Sequence, residues 1–137
     1  MRFEEKINIL LVDDKPNNLI LLEAILDSPE YRLVKASSGK EALKHLLNED
    51  FTLILLDVMM PGLDGFETAE IIRQRPQSRN TPIIFITAMD PDEEAMLKAD
   101  SVGAVDFFFK PFDSDLLRAK VSLFVDLYKK NRLLRRK

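Results

Sequence analysis

The sequence has 137 residues, of which 46% are hydrophobic and 31% are charged, and it contains no cysteine. This length and composition predict one globular domain and exclude a disulfide framework and a thiolate metal site. A net charge of −3 argues against a general nucleic-acid surface, and the lack of a signal peptide and of an apolar run near about 20 residues predicts a cytoplasmic protein without a membrane span.

Five short apolar runs alternate along the chain with segments of helical periodicity, as strands and helices would. The runs cover residues 7–12, 31–36, 53–56, 82–86 and 104–109. Helix-start signals of the capping-box type lie between them, at Ser38 with Glu41, at Asp64 with Glu67, and at Asp90 with Pro91 and Glu93. We therefore predict a doubly wound α/β fold of five βα units with a parallel sheet. We expect the flavodoxin-like strand order 2-1-3-4-5, which reverses between the first and third strands.

Two helices carry apolar residues whose burial can be predicted from a rotation of about 100° per residue. In the first helix Ile20 points away from the side that is expected to enter the core, which carries Leu19, Leu22, Ile25 and Leu26. The last helix is predicted from about Asp113 to beyond Tyr128, with expected core residues Leu116, Leu117, Val121 and Phe124.

The end of the last helix differs in character from its first half. Residues 128–137 are predicted to extend the helix beyond a domain of residues 1–127. Leu127 and Leu134 are seven residues apart among charged residues, as in one heptad of a coiled coil. A solvated helix end explains the same pattern equally well, so both interpretations stay open.

Polar side chains follow four of the five predicted strands. Asp13 and Asp14 follow the first strand, Asp57 the third, Thr87 the fourth and Lys110 the fifth. In an open α/β sheet, ligands bind at this carboxyl edge, where the strand order reverses. Each residue also has a simpler explanation, since Asp14 could cap a helix, Thr87 could be a satisfied strand-end hydroxyl and Lys110 could be solvated. Their coincidence at matching strand ends favours a common site.

Three converging carboxylates need a cation. Two like charges at about 4 Å cost about 4 kcal/mol at an effective dielectric constant of 20. All-oxygen ligation selects a hard ion, so we predict Mg²⁺, with Mn²⁺ as a possible substitute. A metal, the Lys110 ammonium and the Thr87 hydroxyl around Asp57 would stabilise a phosphoryl group that is transferred to this carboxylate.

Four sequence blocks together resemble the receiver domain of two-component response regulators. They are Asp13-Asp14 after ILLV, LILLDVMMPGLDG around Asp57, PIIFITA ending in Thr87-Ala88, and GAVDFFFKPF with Lys110-Pro111. The resemblance spans about residues 7 to 127.

The resemblance implies a role for each residue of these blocks. Asp57 would be phosphorylated by a sensor histidine kinase, directly or through a phosphotransfer protein, with Mg²⁺ required. Asp14, Asp57 and the backbone carbonyl of Met59 would ligate the metal, and Asp13 would act largely through water. Lys110 would pair with the phosphoryl oxygens and would be joined to Pro111 by a cis peptide bond, while the small Ala88 would leave the phosphoryl group reachable.

The resemblance also implies a switch and a surface for it. Thr87 would move towards the phosphoryl group and Phe107 would turn inward, which would remodel the face made by the fourth helix, fifth strand and fifth helix for output or homodimerisation. The C-terminal helix is a second possible dimer contact, and Ile20 is a candidate contact for the kinase. We further hypothesise that Met59 and Met89, two residues after Asp57 and Thr87, orient an attacking water poorly and so lengthen the lifetime of the phosphoryl bond.

Two other functions would use parts of the same set of residues. Phosphohydrolases of the haloacid dehalogenase type also use a strand-end aspartate with Mg²⁺, but they need a second acid at the position that Met59 occupies. A phosphorylation-independent pseudo-receiver would normally lack one of the acids or the lysine, and all are present here. The last helix is expected to lead into an output domain, and no turnover activity, direct nucleic-acid binding or membrane contact is expected of this chain.

Overall fold

The computed structural model describes residues 6–88 and 92–135, with side chains up to residue 131. Strands and helices alternate through these residues as predicted. In chain order they are β1 (Ile7–Val12), α1 (Pro16–Ile25), β2 (Tyr31–Ala36), α2 (Gly39–Asn48), β3 (Leu53–Asp57), α3 (Gly65–Gln74), β4 (Ile83–Thr87), α4 (Glu93–Ser101), β5 (Asp106–Phe109) and α5 (Ser114–Arg135).

The five strands form one parallel sheet in the order β2-β1-β3-β4-β5, which confirms the predicted fold class. Every residue of β3 and β4 is buried, because helices cover both faces of these central strands. One face packs against α2, α3 and α4, and the other packs against α1 and α5. No helix among the described residues is long and apolar enough to cross a membrane.

Alternate strand residues enter opposite cores. In β3, Ile54 and Leu56 belong to the core beneath α2, α3 and α4, whereas Leu53 and Leu55 belong to the core beneath α1 and α5. Asp57 and Thr87 are the last residues of β3 and β4. They lie at the same edge of the sheet because these two strands are parallel.

Two of the predicted helix caps are present. Asp64 and Glu67 form both hydrogen bonds of a capping box, of 2.8 and 3.0 Å, at the start of α3. The Ser38 hydroxyl accepts from the Glu41 N–H at the start of α2. The predicted cap of α4 by Asp90 is wrong, because the N-cap is Asp92, whose carboxylate accepts from the Ala95 N–H. Asp90 and Pro91 themselves lie outside the described residues.

The helix faces were predicted well for α1 and less well for α5. Leu19, Leu22, Ile25 and Leu26 are buried and Ile20 is 60% exposed, as predicted. In α5, Leu117 and Val121 are buried and Phe124 packs against the core, but Leu116 is 48% exposed and Val125 takes the fourth buried position. Leu127 is exposed, and the side chain of Leu134 lies outside the described residues.

The loop after β3 is held close to the strand by two glycines. Gly62 follows Pro61 and has a φ of 76°, which a side chain would strain, as expected for this turn. Gly65 begins α3 so close to β3 that a Cβ atom there would lie 2.3 Å from the Asp57 carbonyl oxygen. Its N–H also donates to the Val58 carbonyl at 2.8 Å. The start of α3 is thereby fixed against the end of β3.

Candidate functional site

Three carboxylates converge at the carboxyl edge of the sheet, on either side of the point where the strand order reverses. Asp13 and Asp14 follow β1, and Asp57 ends the neighbouring strand β3. One oxygen from each carboxylate can be chosen so that all three lie within 4.8 Å of one another. Side chains far apart in sequence are therefore brought together by the parallel pairing of these two strands.

Asp13 is buried and uses both of its carboxylate oxygens. Oδ1 accepts from the Lys15 N–H at 2.9 Å and from the Asn18 side-chain amide at 3.3 Å. Oδ2 pairs with Lys110 Nζ at 2.9 Å. The contact with Asn18 was not predicted, because no sequence signal distinguishes it from the neighbouring Asn17 at the start of α1.

Lys110 connects the far side of the site to the acids. Its Nζ lies 2.9 Å from Asp13 Oδ2 and 4.0 Å from Asp57 Oδ1, and its backbone N–H donates to the Thr87 carbonyl at 2.8 Å. The peptide bond between Lys110 and Pro111 is cis. The side chain is only one-fifth exposed, so the solvated-lysine interpretation is excluded. One ammonium still leaves two of three carboxylate charges uncompensated.

The surroundings of Asp57 disfavour its ionised form. Asp57 is 5% exposed, and its pKa is raised from 3.8 to about 6. Burial is the largest cause, and the negative charge of Asp13 adds to it, with a smaller addition from Asp14. The Lys110 charge and a hydrogen bond from the Met59 backbone N–H oppose the rise in pKa. Asp57 is thus poised to bind a cation that would stabilise its ionised form.

Asp14 provides an independent test of whether a metal fits. Its Oδ1 atom is buried and has no hydrogen-bond partner among the described residues. It does not cap α1, because the N-cap is Lys15 and no side chain makes that cap. An orphaned carboxylate oxygen is costly to bury unless a cation or water satisfies it. The all-oxygen set of Asp13, Asp14 and Asp57 matches the ligands of a hard divalent ion.

The remaining predicted site residues lie on β4, on β5 and in the loops that follow β3 and β4. Thr87 is buried at the end of β4, one residue beyond the Ile86 that pairs with Asp57, and Ala88 is exposed after it. The Met59 side chain is 59% exposed, so it is not core packing. Phe107 lies further back on β5, at the register position opposite Phe85. Met89 lies outside the described residues.

Comparison with known proteins gives one consistent family. A model described as the response regulator receiver domain matches residues 9–122. The chain is 41% identical over 113 residues to the response regulator PleD of Caulobacter vibrioides and 38% identical over 113 residues to a probable cyclic di-GMP phosphodiesterase of Vibrio cholerae. Each match covers 82% of this chain but only 25% of the relative, so the chain spans about a quarter of their length.

Solved structures agree with the sequence comparison. A CheY-like response regulator receiver domain protein from Methanospirillum hungatei JF-1 superposes with a TM-score of 0.84 at 26% identity, covering 93% of this chain and 99% of that one. The two chains therefore share one fold over almost their whole length.

The raised pKa of Asp57 makes a prediction about stability and pH. A carboxyl whose pKa is raised on folding contributes stability below its unfolded value of 3.8, and this contribution is lost as the pH rises through about 6. Without divalent cations, Asp57→Asn should therefore be more stable than the wild type at pH 7.5, by about 1–3 kcal/mol, and the gain should shrink towards pH 4. Urea unfolding in a chelator measures this difference. Asp50→Asn, at an exposed position, should show no such gain; equal stabilities of Asp57→Asn and wild type at pH 7.5 would contradict the assignment.

Proposed function

The chain belongs to the response regulator receiver domain family, and from this premise we propose that Asp57 accepts a phosphoryl group from a sensor histidine kinase or a phosphotransfer protein. The observation that carries the proposal is the convergence of Asp13, Asp14, Asp57 and Lys110 at one edge of the sheet. Receiver domains are signalling domains, and this chain is proposed to act by its own phosphorylation and dephosphorylation rather than as a turnover enzyme.

The transfer is a displacement at phosphorus. An ionised Asp57 oxygen forms the new O–P bond while the N–P bond of the phosphohistidine breaks, and the departing imidazole keeps the electron pair and takes a proton from solvent. Because the pKa of Asp57 is about 6, the carboxylate is mostly ionised at neutral pH. Lys110 Nζ, 4.0 Å from Asp57 Oδ1, is placed to compensate charge on the phosphoryl oxygens.

Mg²⁺ is the proposed cofactor, with Mn²⁺ as a substitute. Asp14, Asp57 and the Met59 carbonyl would ligate it directly, and Asp13 would act through water because both of its oxygens already accept hydrogen bonds. Bound there, the ion would offset the carboxylate charge and attract the phosphoryl oxygens. The orphaned Asp14 oxygen supports this assignment.

The proposed response to phosphorylation is a shift in the position of Thr87 and of the Phe107 ring. Thr87 lies on the strand next to Asp57 and Ala88 leaves the approach open, so a phosphoryl group on Asp57 would be within reach of the Thr87 hydroxyl. The affected surface would be the face made by α4, β5 and α5, where Leu97 and Leu116 are exposed. Phosphorylation can shift this equilibrium only by the free energy with which it favours one state.

The phosphodonor is proposed to dock beside α1. Ile20 and Leu21 are exposed on this helix. Leu21 also lines a cavity of about 340 Å³ that reaches Lys110, and apolar side chains of Leu22, Ile86, Pro111 and Phe112 line it as well. An apolar surface that leads to the acceptor site suits a partner helix that carries phosphohistidine.

The domain organisation, location and oligomeric state of the whole protein are further proposals. We propose that residues 1–127 are the receiver and that residues 128–137 lead into an output domain, since the match covers only 25% of each of two relatives. We propose that the protein is cytoplasmic and that it forms homodimers through the face of α4, β5 and α5 or through the end of α5. The alternative of a phosphorylation-independent interaction module is disfavoured by the complete set of acids and lysine, and a dehalogenase-type hydrolase by Met59.

Phosphorylation of Asp57 can be tested by intact mass. Incubation with Mg²⁺ and acetyl phosphate should add about 80 Da in a base-labile, acid-stable bond. The adduct should be absent from Asp57→Asn and present in Asp50→Asn, a matched change of an exposed aspartate. A wild-type chain that gains no such adduct, or an adduct that persists in Asp57→Asn, would refute the proposal.

The lifetime of the phosphoryl bond is proposed to depend on Met59. Its exposed, apolar side chain next to Asp57 offers no hydrogen bond to an attacking water, whereas an amide there would. After removal of the donor, Met59→Asn should lose the adduct about two- to tenfold faster than wild type, the scale of one net hydrogen bond. Met96→Asn changes another exposed methionine, on α4, and should leave the rate unaltered. The same rate in Met59→Asn and wild type would show that Met59 does not set the lifetime.

A further inference from the structure

Four phenylalanine rings form a continuous row from α3 to the end of β5. Adjacent ring centroids are separated by 5.0 Å between Phe66 and Phe85, by 5.6 Å between Phe85 and Phe107, and by 4.8 Å between Phe107 and Phe109. The last pair is stacked, with an angle of 27° between the ring planes. Lys98 of α4 lies over Phe66, 5.8 Å from its centroid, so one end of the row contacts α4.

The other end of the row reaches the phosphorylation site. In the pairing of β4 with β5, Phe107 lies opposite Phe85 and Phe109 lies opposite Thr87. Alternation along the strands directs these four side chains to the same face of the sheet. The backbone next to Phe109 is fixed as well, since the Lys110 N–H donates to the Thr87 carbonyl at 2.8 Å.

Phe109 is therefore placed between the two groups whose positions are proposed to change. It neighbours Thr87 across the strands and stacks on Phe107 two residues earlier on its own strand. Both rings are only partly buried, so neither is locked on all sides by the core. A rotation of the Phe107 ring out of the observed orientation must separate the stacked rings.

We propose that Phe109 is a positioning residue that holds the Phe107 ring in its observed orientation by stacking, and thereby sets how readily phosphorylation drives the switch. This inference rests on the function proposed above. Because an aromatic pair contributes about 0.5–1.5 kcal/mol beyond its buried area, loss of the stack should favour the reoriented state about two- to tenfold. Phe109 thus acts through Phe107 and not by contact with the phosphoryl group.

The test uses beryllofluoride, a phosphoryl mimic, added to the full chain with Mg²⁺, and its bound fluorine resonances report the affinity by NMR. Phe109→Val, which removes the ring but introduces a residue that also favours strands, should bind it about two- to tenfold more tightly than wild type. Phe109→Leu removes the ring with a smaller loss of volume, and should give the same direction if the valine variant folds poorly. Phe108→Leu is the matched control. Phe108 lies between Phe107 and Phe109 in sequence, but its side chain packs in the opposite core.

A double variant separates positioning from a general loss of packing. In a Phe107→Leu background the stack is already absent, so Phe109→Val should add no further gain in affinity. Unchanged or weaker binding by the Phe109 variants, or an equal gain in the Phe107→Leu background, would overturn the inference while leaving phosphorylation of Asp57 intact. Failure of the wild type itself to bind beryllofluoride would instead overturn the proposed function, and this inference with it.

Discussion

The mutual repulsion of three carboxylates, held together by the pairing of β1 with β3, is the constraint on which the site depends. Asp13, Asp14 and Asp57 place oxygens within 4.8 Å of one another, and the Lys110 ammonium pairs with Asp13 and Asp57. The negative charges of the three acids are compensated to different extents. Asp13 is satisfied by Lys15, Asn18 and Lys110, whereas Asp57 has a raised pKa and one Asp14 oxygen has no partner in the part of the chain that the structure describes. The two less satisfied acids are the ones assigned to direct contact with a cation.

The fold holds this unfavourable cluster in place because the acids follow or end strands that are packed between helices. The strands that carry Asp57 and Thr87 are buried throughout, and Gly65 lets α3 begin against the Asp57 carbonyl. Between sheet and surface, the row of phenylalanine rings connects the strand beside Thr87 to α3 and α4. The same close packing that fixes the acids therefore gives the site a physical path to the face that is proposed to respond.

Much of this could be predicted from the sequence, because periodicity and strand-end position are local properties. The five strands, the buried side of α1 and the position of all three acids and Lys110 at strand ends followed from them. The strand order was an expectation that periodicity does not fix, and the observed sheet confirms it. The predictions that were wrong required a choice between two residues close together in sequence. Asp90 and Asp92 both suit a helix cap, and only the geometry of the Ala95 N–H selects Asp92. Leu116 and Leu117 differ by about 100° around α5, and the docking angle of the helix decides which is buried. The Asn18 contact and the stacking of Phe109 likewise depend on distances that no sequence pattern encodes.

If a divalent cation relieves the carboxylate repulsion, calorimetric titration of the full chain with Mg²⁺ at pH 7.5 should show one site in the wild type. Its affinity should be weakened at least about tenfold in Asp14→Asn and unaltered in Asp50→Asn. Binding of Mg²⁺ that is equally strong in Asp14→Asn, or no binding by the wild type, would contradict this role of the cation.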